Sequence, residues 1–117
     1  MSLQGEGKKG LVVPFEPEQY FFGDLPEAEA KHWASKLRAQ PVIKSPLSQA
    51  SYVELPTAYL LCKEDRIFPF MVQEMMVKLA LDSGAKVTQF HCSASHSPFL
   101  GWTAGTANAI TEFAKGL

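Results

Sequence analysis

Only two cysteines, Cys62 and Cys92, occur in the 117 residues, and neither lies in a Cys-x-x-Cys or Cys/His metal-ligand spacing. That argues against a disulfide framework and leaves two buried free thiols as the expectation. No apolar run approaches the roughly 20 residues needed to span a bilayer. The amino-terminal stretch also lacks the charged start, apolar core and small-residue cleavage site of a secretory signal, so a cytoplasmic location is expected. Charge of one sign is missing as well: 11 basic and 12 acidic residues leave a formal net charge of −1. Basic residues concentrate nowhere beyond Lys8-Lys9, so neither nucleic acid nor an anionic membrane is indicated as a partner. His32, His91 and His96 have no i, i+4 or short-loop spacing, so no metal site and no cofactor are expected. No internal repeat or low-complexity tract is present.

What remains is the composition of an ordinary globular chain, 46% hydrophobic and 20% charged, long enough for one domain at most. Residues 1 to 23 read as irregular, broken by Gly5, Gly7, Gly10, Pro14 and Pro17, with a short edge strand at Gly10 to Val13. Asp24-Leu25-Pro26-Glu27 reads as a helix start, Asp24 capping free backbone N–H groups and Glu27 reaching back to it. Ala30, Trp33, Ala34 and Leu37 then form one apolar stripe on a helix of about three turns that Pro41 closes. Residues 41 to 56 are rich in Pro and Ser and aperiodic, a connector.

From Thr57 to Cys62 the chain is apolar without a break, the pattern of a strand covered on both faces in a parallel sheet. A helix opened by Pro69 follows, with Val72, Met75, Met76 and Leu79 as its buried stripe and Gly84 as its end. Lys86 to His91 is a second strand. Thr106 to Leu117 is a last helix, with Ile110, Phe113, Ala114 and Leu117 facing inward. Strand, helix, strand, helix is the order of a parallel α/β unit with a right-handed crossover.

Functional groups in parallel sheets collect beyond the carboxyl ends of the strands, where the strand-to-helix loops emerge. Asp65 follows the first strand by a few residues and His96 follows the second. Both loops face one crevice, an arrangement that suits a carboxylate orienting an imidazole that shuttles a proton. Glu64 is the solvated neighbour of Asp65. His91 is still within its strand, which favours His96 over it, and His32 reads as a solvated helix residue. Trp102 reads as packing under the final helix, with a place in a substrate pocket as the alternative.

These segments resemble the α/β-hydrolase family. Pro56-Thr-Ala-Tyr-Leu-Leu-Cys-Lys-Glu-Asp65-Arg-Ile-Phe-Pro69 is similar to the family's acid strand and loop, and Ser95-His96-Ser97-Pro98-Phe99-Leu100 to its histidine loop. Phe22-Gly23-Asp24-Leu25-Pro26-Glu27 and Ala30-x-x-Trp33-Ala34 are similar to the end of the cap in the small esterase-like branch of methylesterases and hydroxynitrile lyases. The resemblance covers roughly residues 11 to 117. It implies an α/β fold, with residues 1–50 as a partial helical cap and residues 51–117 as the carboxy-terminal part of the catalytic sheet. It also implies that Asp65 and His96 are the acid and base of a Ser-His-Asp triad.

The nucleophile departs from the family pattern. No serine has a glycine two residues before it and another two after it, as the Gly-x-Ser-x-Gly elbow requires. Three functions follow as alternatives: an ester hydrolase of a small molecule, represented by an incomplete chain; a non-catalytic fragment that binds a partner or self-associates through an exposed sheet edge; and a lyase of the same fold. The isolated chain is expected to be sticky, because a strand as apolar as Thr57 to Cys62 calls for more cover than the chain supplies.

Overall fold

A computed structural model describes residues 3–4 and 10–117. The readings of Gly5, Gly7 and Lys8-Lys9 lie outside the described residues. In chain order the elements are β1 (Leu3–Gln4), β2 (Leu11–Pro14), α1 (Pro17–Tyr20), α2 (Glu27–Ala34), β3 (Gln40–Pro41), α3 (Ser51–Glu54) and β4 (Thr57–Cys62). They continue with α4 (Phe70–Asp82), β5 (Val87–Cys92), α5 (Pro98–Gly101) and α6 (Thr103–Lys115).

The element that organises the rest is β4, six apolar or small residues between Pro56 and Lys63. It pairs in parallel with β5, Thr57 opposite Val87 through to Cys62 opposite Cys92. The connection between them carries α4, as a parallel pair requires. Gly84 ends that crossover helix in the left-handed region, φ 89°, which a residue without Cβ adopts freely. The second strand runs one residue later than its hydrophobicity suggested. Parallel strands between helices make the fold mixed α/β.

Residues expected to be irregular hold small elements instead. β2 is the central strand of an antiparallel three-stranded sheet, order β1-β2-β3, and not an edge. One-turn helices α1 and α3 interrupt the stretches read as irregular and as connector. α2 is shorter than its apolar stripe implied: it stops at Ala34, where the Ser35 hydroxyl donates to the His32 carbonyl at 2.6 Å. Its N-cap is Pro26, with no side-chain cap, so Asp24 does not serve as one. Glu27 instead pairs with Lys31 at 2.8 Å, an exposed contact that contributes little.

The largest departure concerns which side of α4 faces in. Gln73 and Val77 are buried, while Met75, Met76 and Leu79 of the expected stripe are exposed. The helix is apolar on every side, so periodicity alone could not choose a face. Tertiary contact did: Gln73 and Val77 share a stripe turned toward β4. In α6 likewise, Phe113 is half-buried but Ile110 and Ala114 are exposed, and Leu117 lies beyond the helix, exposed as well.

Cys62 and Cys92 end their strands side by side, both buried and reduced, with sulfurs 3.6 Å apart. Burial, with the neighbouring Cys92 thiol, pushes the Cys62 thiol up to about 12. At pH 8 the thiolate, the reactive form, is then roughly one part in ten thousand. Iodoacetamide at pH 8 should leave Cys62 unmodified in the folded protein and alkylate it once denaturant is added, read by peptide mass. Full modification without denaturant would contradict this.

Candidate active site

The loops that leave β4 and β5 are stitched together before either reaches its helix. Lys63 N–H donates to the Cys92 carbonyl at 3.0 Å, and Glu64 N–H to the Ala94 carbonyl at 3.1 Å. This extends the parallel ladder two residues past the strands and delivers Asp65 and His96 to the same edge.

There His96 Nδ1 lies 2.9 Å from Asp65 Oδ2, with side chains 25% and 8% exposed respectively. The other carboxylate oxygen is also engaged. Asp65 Oδ1 accepts the backbone N–H groups of Ile67 at 2.8 Å and Phe68 at 3.0 Å. Three hydrogen-bond partners, two backbone N–H groups and the imidazole, therefore hold one carboxylate. With Nδ1 committed to Asp65, Nε2 is the ring nitrogen left for proton transfer.

Both residues line an open cleft of about 340 Å³, together with Ala58, Tyr59 and Leu60 of β4, Phe68, Gln73 and Pro98. Phe68 lies 5.9 Å from the imidazole, and Phe21 meets it edge-on at 5.1 Å. Burial raises the Tyr59 phenol above its ordinary range, with the Asp65 charge adding to the effect. Glu64 is exposed, as is His32, whose ring stacks edge-on against Trp33 at 5.2 Å. His91 lies on β5 with its ring 6.2 Å from Phe70 and takes no part in the pair. Trp102 lies at the start of α6, its ring over Gly105 where a Cβ has no room. Among the described residues no group of three His, Cys, Asp or Glu side chains is placed to hold a metal ion.

Two contributors escaped sequence reasoning. Gln73 is 1% exposed, and its side-chain oxygen accepts the Cys62 N–H at 2.8 Å. Its amide nitrogen donates to the carbonyls of Cys62 at 2.8 Å and Phe68 at 2.7 Å. It thereby ties the end of β4 to the end of the acid loop. The one available signal was Gln73 itself, an uncharged polar residue in a helix whose other polar residues, Glu74, Lys78 and Asp82, are all charged. Asp24 is the second. It accepts both the backbone N–H and the hydroxyl of Ser95, at 3.1 and 2.6 Å, next to His96.

No family model matches the chain. An alpha/beta hydrolase of Aspergillus novofumigatus, nvfD, is 31% identical over 77 residues, 63% of this chain and 30% of that protein. The chain thus spans less than a third of the length of the curated relative it matches. Among the described residues no helix is long and apolar enough to cross a membrane. The mixed architecture with its parallel strands is compatible with an α/β fold, and the relative it resembles over those 77 residues is itself an alpha/beta hydrolase.

Proposed function

We propose that Asp65 and His96 are the acid and base of a Ser-His-Asp relay in a hydrolase acting on the ester bond of a small molecule, with the nucleophile on polypeptide outside these 117 residues. The observation that carries this reading is the 2.9 Å contact between His96 Nδ1 and a carboxylate whose other oxygen is fixed by two backbone N–H groups. Asp65 holds the imidazole in one tautomer through the contact at Nδ1. His96 Nε2 takes the proton of the attacking hydroxyl and gives it to the departing alkoxide, leaving an acyl-enzyme. Water repeats the two transfers and releases the acid. The apolar walls around the pair, Leu60, Phe68 and Pro98, suit an uncharged substrate.

The esterase-like branch and the cap role of residues 1–50 belong to this proposal, and so does a lyase acting on the same relay. Assay of this chain with p-nitrophenyl acetate should show no turnover sensitive to a serine-directed phosphonate. If the genomic sequence upstream of Met1 encodes a Gly-x-Ser-x-Gly block in frame, the extended protein should hydrolyse the ester and lose that activity to the phosphonate. Phosphonate-sensitive turnover by the 117 residues alone would overturn the placement of the nucleophile. Release of cyanide from a cyanohydrin, without ester hydrolysis, would favour the lyase.

A further inference from the structure

We infer that Asp24 is a positioning residue for the proton shuttle: it holds the His96 loop, through Ser95, in the conformation that keeps Nδ1 on Asp65. This rests on the proposed role of the pair. The loop from Ser93 to Ser97 lies between β5 and α5, and Ser95 at its middle is 2% exposed. The Ser95 N–H finds its acceptor in Asp24 Oδ2 at 3.1 Å, and the Ser95 hydroxyl donates to Oδ1 at 2.6 Å. Both oxygens of one carboxylate are therefore spent on the residue immediately before His96. Charge-assisted bonds of this kind are the strong ones. Fixing the Ser95 peptide in this way aims the Cα–Cβ bond of His96.

Two further observations point the same way. A Cβ on Gly101 would collide with the Asp24 carboxylate, so the chain leaves that space to the acid. The residues just before Asp24 touch both loops: Phe21 stands edge-on to the His96 ring at 5.1 Å, and Tyr20 lies under the Arg66 guanidinium at 5.1 Å. One short segment far upstream thus bears on the acid loop and the histidine loop together. Asp24 contacts neither Asp65 nor His96 by hydrogen bond, so it acts only through Ser95.

The test reads the tautomer of His96 in the intact chain, by two-bond ¹H–¹⁵N correlation of its ring at a pH where the imidazole is neutral. Wild type should show a protonated Nδ1 and a bare Nε2. Asp24→Ala should lower the ratio of Nδ1–H to Nε2–H tautomer about tenfold, as expected when two charge-assisted bonds no longer hold the loop. Asp24→Asn, which keeps one acceptor, should restore part of it. Ser95→Ala removes the hydroxyl bond alone and should shift the ratio less, in the same direction. It supplies the result if Asp24→Ala fails to fold. A ratio unchanged in both Asp24→Ala and Ser95→Ala, with altered melting or without, would overturn the inference alone. A wild-type His96 with no Nδ1–H preference would overturn the proposed relay and this inference with it.

Discussion

Gln73→Leu should lower the unfolding free energy by about 2–5 kcal/mol, read as a shift in urea midpoint at unchanged slope. Leucine fills much of the volume, so packing is not the main loss. Polar pairing is. The Cys62 N–H loses its acceptor and the Phe68 carbonyl its donor, while the Cys62 carbonyl keeps only a long bond from the Asp65 N–H at 3.4 Å. Each buried group left unsatisfied costs about 1–3 kcal/mol, and the sum is a large fraction of the stability of a small domain. Gln73→Glu separates this cause from shape. An ionised carboxylate at 73 would place negative oxygen against two carbonyls, so the new carboxyl has a raised folded-state pKa. A raised pKa means stability present at low pH and lost as pH rises through that value, so this variant should recover toward acid while Gln73→Leu does not. A Gln73→Leu midpoint within about 0.5 kcal/mol of wild type would refute the role assigned to the amide.

Gln73 also shows where sequence reasoning stops. β4 is legible because six residues without a charge lie between Pro56 and Lys63, a short bounded run of the kind that parallel strands between helices show. Its partner is legible to within a residue. The orientation of α4 is not, because Met71, Val72, Met75, Met76, Val77, Leu79 and Leu81 put apolar groups on all sides. The side chain of Gln73 turns inward to pair with both backbone groups of Cys62 at the end of β4, a contact between elements that no pattern within the helix contains.

The candidate site divides in the same way. That Asp65 and His96 share a sheet edge follows from each standing a few residues beyond a parallel strand, and the structure brings them within hydrogen-bond reach. Asp24 was read as a helix cap because its local setting, two residues before Pro26-Glu27, is that of a cap. Its actual partner, Ser95, is 71 residues away, and the carboxylate serves one or the other. Local chemistry names what a carboxylate can accept, while tertiary structure decides from whom.

The largest effect on the proposed chemistry is expected from a change that adds or removes no heavy atom. In Asp65→Asn, the N–H groups of Ile67 and Phe68 still demand an acceptor, so the amide oxygen should occupy the Oδ1 position. The NH₂ group is then turned on His96. An amide that donates to Nδ1 forces the neutral imidazole to carry its proton on Nε2, the atom that must be bare to accept one from a nucleophile. In the 117-residue chain the ¹⁵N signature of His96 should invert, with Nδ1 bare and Nε2 protonated, while the backbone spectrum of both loops stays close to wild type. In an extended protein that bears a nucleophile, kcat should fall on the order of 10⁴-fold, the scale of a wrong tautomer in such a triad, with KM changed little. Asp65→Ala should be less informative, since it strands two backbone donors and loosens the loop as well. Retention of the Nδ1–H tautomer in Asp65→Asn would mean that Asp65 does not set the state of His96, and the relay would lose its acid.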